Sequence, residues 1–200
     1  MFSAQLAIYL TLATIKTVKK EKVIEKLEKH CSEKLYVRLT RKKGGFEGIS
    51  TGFILDKSSD FILLQETDEF RVLGYQIIPI QTIKHVRYNK NDKTIHRILK
   101  EEGLISEVKA KYKVDLTDWN TIANDVKATE LTIISECEHP KQNFFCIGHM
   151  KRINKKSISI RYFNAQGILD KKNTKHKFKD ITKLSFDDRY ANIFSKYLKE

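Results

Sequence analysis

The chain has 200 residues, with 38 Lys and Arg against 25 Asp and Glu, for a formal net charge of +13. A hydrophobic content of 40% supports a folded core and excludes wholesale disorder, while two prolines and eight glycines exclude collagen-like or low-complexity character. Three cysteines, an odd number, exclude a disulfide scaffold and point to a reducing, cytoplasmic compartment.

The charge is uneven. Residues 1–34 carry +3, 35–100 carry +5, 101–145 carry −4 and 146–200 carry +9. An acidic connector thus separates two basic stretches. A polyanion partner, RNA first, is expected at the second of them.

In chain order, Phe2 to Ile15 form an uncharged apolar run, shorter than the roughly 20 residues a membrane helix needs. Lys16, Lys19, Lys20 and Lys22 follow the run, whereas a secretory signal places its basic residues first. The run is read as a docked helix or an extended start; an interfacial anchor is the alternative, and a membrane is not the expected partner. Val23, Ile24, Leu27 and Cys31 then share one helical face, so residues 1–33 are read as an N-terminal helical segment.

From Leu35 the period changes to two. Strands are expected at Leu35–Thr40, through Gly52-Phe53-Ile54-Leu55, and at Phe61–Leu64, Gly74–Ile80 and Ile83–Tyr88. Gly44-Gly45 is a hairpin signal, and Asp56 to Asp60 turn the chain. Five short strands with tight turns predict a small SH3-like or Sm-like barrel over 34–103. A helix carrying Ile95, Ile98 and Leu99 follows, capped by Asn91 or Asp92 and stopped at Gly103. In the connector, Thr117 or Asp118 caps a helix through Trp119, Ile122 and Val126, with Trp119 read as a core plug.

The remainder repeats the plan, so 104–200 are read as a connector helix plus a second five-stranded barrel with its own C-terminal helix. Strands are expected at Leu131–Cys137, Phe144–Ile153, Ser157–Phe163, Lys175–Phe178 and Thr182–Phe186. The last helix carries Tyr190, Ile193, Phe194, Tyr197 and Leu198. Gly52 and Gly148 each precede an isoleucine by ten residues, and Gln81-Thr82-Ile83 lines up with Lys179-Asp180-Ile181. Asp92 lines up with Asp188. Glycine at 52 and 148 suits a strand that bends sharply as a small barrel closes.

"GFILDKSSDFILL", "GYQIIPI", the "DIT" before the last strand and the terminal "RYANIFSKYL" resemble a bacterial family of tandem small barrels with no established activity. The resemblance spans about residues 35–200 and implies fold, not function. More distantly, Gly52, Asp56 and Phe61 to Leu64 are similar to the first motif of Sm-like barrels, which bind RNA. Val86-Arg87-Tyr88-Asn89 lacks the glycine of their second motif, so ring assembly and uridine recognition are not implied.

Cys137, His139, Cys146 and His149 form the one constellation with zinc-ligand chemistry. Cys146 and His149 are three apart and face opposite sides of a regular strand, so no metal site is assigned. Glu66, Asp68 and Glu69 are expected in a solvated loop, and Asp187-Asp188 at a helix start. No catalytic arrangement emerges, and the chain is read as a non-enzymatic binding module without a cofactor. The candidate nucleic-acid contacts are Arg41, Lys42 and Lys43 on the first hairpin, and Lys151, Arg152, Lys155 and Lys156 on its counterpart. Lys171, Lys172, Lys175, Lys177 and Lys179 follow, with Tyr162 and Phe163 as adjoining aromatics. The alternative is a protein-interaction or self-associating scaffold that uses strand edges and the terminal helix.

Overall fold

The computed structural model describes residues 20–199. The apolar run Phe2–Ile15 lies outside the described residues. Among those described, no helix is long and apolar enough to cross a membrane.

The structure is mainly β. Helix α1 (20–32) leads into β1 (Tyr36–Lys43), β2 (Phe46–Lys57), β3 (Phe61–Asp68), β4 (Arg71–Pro79) and β5 (Ile83–Arg87). Helices α2 (Lys90–Glu101) and α3 (Trp119–Ala128) follow. Then come β6 (Ile133–Cys137), β7 (Phe144–Asn154), β8 (Ser157–Tyr162), β9 (Thr174–Lys177), β10 (Lys183–Phe186) and α4 (Arg189–Phe194).

The ten strands form one open antiparallel sheet in the order β5-β1-β2-β3-β4-β10-β6-β7-β8-β9. The expected mainly-β fold with helices is present, as one continuous sheet in which two closed barrels are not shown. β4 pairs with β10 and not with β5, so neither half closes on itself through a hydrogen-bonded ladder. The junction is Leu184 opposite Ile77 and Phe186 opposite Tyr75, whose rings stack at 5.2 Å.

Within the sheet, equivalent ladders of the two halves run in equivalent register. Val37 faces Gly52 and Ile133 faces Gly148; Gly52 faces Glu66 and Gly148 faces Tyr162. The β2–β3 ladder bulges between Ile54 and Asp56, and the β7–β8 ladder between Met150 and Arg152. A Cβ on Gly52 would lie 2.0 Å from the Gln65 carbonyl oxygen, and one on Gly148 2.1 Å from that of Arg161. Glycine is needed at both places because another strand's backbone passes where a side chain would stand.

The helices cover equivalent faces of the two halves. Leu27 of α1 is fully buried against Val37, Leu39, Ile54, Ile62 and Ile78, with Val23 and Cys31 beside it. Ile122, Ala123 and Val126 of α3 are buried against Ile133, Met150, Ile158 and Ile160. That second cluster also takes in Phe61, Leu63, Tyr75 and Ile77 from the first half, so the largest core belongs to both halves. Alternation along β3 explains this: Ile62 and Leu64 face one cluster, while Phe61 and Leu63 face the other.

Two local expectations change. Asn89, not Asn91 or Asp92, caps α2, and Asp92 completes a capping box while pairing with Arg87 at 2.8 Å. The positional counterpart of the Asp188 cap on α4 is therefore Asn89. Second, β3 runs on to Asp68, so Glu66 lies within a strand. Burial pushes its carboxyl above the usual range, against the opposing pull of Lys183.

Gly52→Ala and Gly148→Ala are each expected to cost about 3 kcal/mol or more, because backbone must move. Gly103→Ala, where no atom lies within 4 Å of the new Cβ but φ is +75°, is expected to cost only about 1 kcal/mol. Urea unfolding of the three variants checks the ranking.

Candidate functional site

The turn Lys155-Lys156 sits between β7 and β8, and the β8–β9 ladder sets Ser157 opposite Lys177 and Ser159 opposite Lys175. Alternation along β9 turns His176 inward and leaves Lys175 and Lys177 exposed. The Phe178 amide donates to the Lys156 carbonyl at 3.0 Å, which ties the turn to the single-turn helix Phe178–Asp180. Lys155, Lys156, Lys175, Lys177 and Lys179 therefore line one cavity of about 600 Å³, together with Ser157 and Phe178. None of the five makes an ion pair among the described residues. Five uncancelled cations around one concavity concentrate positive potential there.

The other candidates are placed differently. Arg41 is 1% exposed, and its guanidinium grips both carboxylate oxygens of Glu138 while Nε donates to Ser50 Oγ at 3.1 Å. It is corrected from a ligand contact to an internal tie between the halves. Burial alone would raise the Glu138 carboxyl, but the hydrogen bonds and charge of Arg41 hold it below the usual range. Lys42 is exposed and paired with Glu47 at 3.0 Å. Lys43 reaches across and donates to the Lys179 carbonyl at 3.3 Å, so the first hairpin touches the rim of the lysine cavity. Lys151, Arg152, Lys171 and Lys172 are exposed but are not part of its wall.

The expected aromatic neighbours are also corrected. Phe163 is 1% exposed and stacks on Phe194, while Tyr162 is half-buried in the core. The aromatic wall comes from elsewhere: Trp119 lies parallel to Phe178 at 6.0 Å and edge-on to Phe61 at 4.9 Å. Trp119 is half-buried, so it both packs on the core and borders a cavity. Sequence reasoning missed Phe61 and Gln81 of this wall, since only the fold brings residues about 60 and about 180 together. Two signals were present: the alignment of Gln81 with Lys179, and the Asp118 cap that sets Trp119 at the start of α3.

The four zinc candidates do not gather. Cys146 lies opposite Ser135 and Cys137 opposite Phe144, with both thiols buried. His149 falls on the other face from Cys146, because β7 stays regular until its bulge after Met150. His139 accepts from the Lys141 amide in the hairpin. Among the described residues, no three His, Cys, Asp or Glu side chains cluster as a metal would require. Burial pushes the Cys146 thiol up to about 12 and His176 down to about 4, which makes them poor nucleophile and poor cation.

Compared with protein-family models, curated proteins and solved structures, the chain matches none. The functional reading therefore rests on the site alone.

Glu138→Gln removes the charge that Arg41 needs and is expected to cost about 3 kcal/mol at pH 7. The lowered Glu138 carboxyl contributes stability that is present above its ordinary value and is lost as pH falls through its folded value. Denaturant titrations of both proteins should therefore converge in acid and separate at neutral pH.

Proposed function

We propose that the chain is a non-enzymatic binding module that engages RNA or another polyanion through the basic face of its second half. The observation that carries this reading is the convergence of five unpaired lysines on one cavity. Lysine ammonium groups are point charges suited to phosphate, without the planar fork that reads bases bidentately. Binding should accordingly be strong at low salt and weak in sequence preference.

The equal register of paired ladders, the two bulges and the paired glycines support taking the halves as two copies of one small SH3-like or Sm-like unit. On this view the copies have diverged in charge. The first holds the buried Arg41 on an internal carboxylate, and the second gathers five unpaired lysines on one cavity. The odd, unbridged cysteines remain the argument for a reducing, cytoplasmic setting.

The test is affinity for single-stranded RNA against salt. Each phosphate neutralised contributes about 0.7 to the slope of log affinity on log salt. Lys155→Ala/Lys177→Ala should flatten that slope by about 1.4. Lys171→Ala/Lys172→Ala, outside the cavity wall, should leave it nearly unchanged. Absence of binding at low salt would sink the reading.

A protein-interaction module is the second reading, favoured by the exposed apolar side chains Tyr190, Ile193 and Tyr197 at 56%, 47% and 71%. Self-association in sedimentation that Tyr190→Glu/Tyr197→Glu abolishes would support it. A monomer at every concentration would count against self-association.

A further inference from the structure

A second cavity, of about 530 Å³, shares Lys155, Phe178 and Lys179 with the lysine cavity and so opens beside it. Its size falls in the range of small-molecule sites, roughly 300–1,000 Å³. Its walls come from three parts of the chain. Phe61, Pro79 and Gln81 belong to the first half, Trp119 and Asn120 to the start of α3, and Lys155, Phe178 and Lys179 to the second half. Phe61 and Phe178 are buried and pack against Trp119, so the half-buried Trp119 is the aromatic surface the cavity offers, at a place where the next groups outward are cations. That is the division of labour a nucleotide requires: flat apolar surface for the base, ammonium groups for the phosphate.

The polar groups of the wall suit a base better than a second phosphate. Gln81 is exposed and makes no side-chain hydrogen bond among the described residues, so its amide is free both to donate and to accept. Asp60 and Asp118 also line the cavity. Asp118 already accepts from the amides of Asn120 and Thr121, and Asp60 from the Ser59 hydroxyl. Carboxylates repel phosphate but accept from the N–H groups of a base. The positive end and the acidic end thus give the cavity a direction, with phosphate on the Lys155–Lys179 side and base against Trp119 and Gln81.

We propose that this junction cavity takes one base of a single-stranded nucleic acid whose phosphates lie on the lysine cavity. The inference rests on the polyanion reading and adds that the ligand carries bases. It also gives the join between the halves a role, since neither half alone supplies the walls.

Trp119 is the only tryptophan in the chain, so its fluorescence reports on the cavity directly. The probes are single-stranded oligoadenylate, inorganic polyphosphate of matched charge, and AMP, each titrated at low salt. Oligoadenylate is expected to quench Trp119. Polyphosphate should bind without quenching, and AMP should need at least tenfold higher concentration than the oligomer. Gln81→Leu should weaken oligoadenylate about tenfold and leave polyphosphate unchanged; as an exposed position it should not disturb folding. Binding of both polymers with Trp119 unaltered, or no loss of affinity in Gln81→Leu, would overturn the base site while leaving the polyanion reading intact. Equal affinity for AMP and the oligomer would make the ligand a free nucleotide and overturn the strand. Binding of neither polymer would remove the polyanion reading itself.

Discussion

Arg41 is a full positive charge with almost no access to water, and its carboxylate arrives from 97 residues away. A guanidinium buried this deeply on β1 is tolerable only if Glu138 stands against it. The bond therefore specifies how the end of β6 meets β1 and β2. Ser50 links Arg41 onward to Gln76 on β4, and Thr182 donates to Glu138 from the other side. The polar network thus crosses the join between the halves. Hydrophobic burial supplies most of the cohesion there, through Phe61, Leu63, Tyr75 and Ile77 under the second half. Apolar contact is tolerant of small slips, and a bidentate ion pair is not.

That fixed join shapes the surface. With β4 paired to β10, the turn at Asp60 and the Pro79–Gln81 segment are brought beside Phe178 and Lys179. Lys43 on the first hairpin then reaches the Lys179 carbonyl. The lysine cavity itself is local to the second half, built from one turn, one short strand and one helical turn. The neighbouring aromatic cavity is not local, and exists only because the halves are locked together. The edge strand β9 is also protected by its composition: alternate lysines and only four residues discourage pairing with another strand.

The net charge of +13 takes on a divided meaning in this fold. Arg41, Arg87 and Lys183 are spent on internal pairs with Glu138, Asp92 and Glu136. Lys42 and Arg97 pair with exposed carboxylates, Glu47 across the β1–β2 hairpin and Glu101 one turn along α2. The five lysines of residues 155–179 that line the cavity have no ion-pair partner among the described residues, and the fold gathers them around one concavity. A basic composition therefore becomes a localised field only after the structural cations are set aside.

Much of this was legible in the residues. Period-two alternation placed most strands, Gly44-Gly45 marked the tight hairpin with both φ angles positive, and the glycines at 52 and 148 marked equivalent points of close backbone approach. These features are local, set by side-chain alternation and by where a Cβ fits, so a linear reading reaches them. Lys155, Lys156, Lys175 and Lys177 were likewise found from charge density. What the chain order could not reveal was which edge β4 would choose. Closing on β5 and pairing with β10 satisfy the same backbone groups, and the difference lies in burying Phe61 and Leu63 on the second face of β3. Nor could it tell a buried cation from a free one: Arg41 and its neighbours Lys42 and Lys43 look alike until Glu138 is brought to the first of them. Local periodicity determined the elements, and long-range burial of apolar faces and of one charge decided how they join and what surface that join presents.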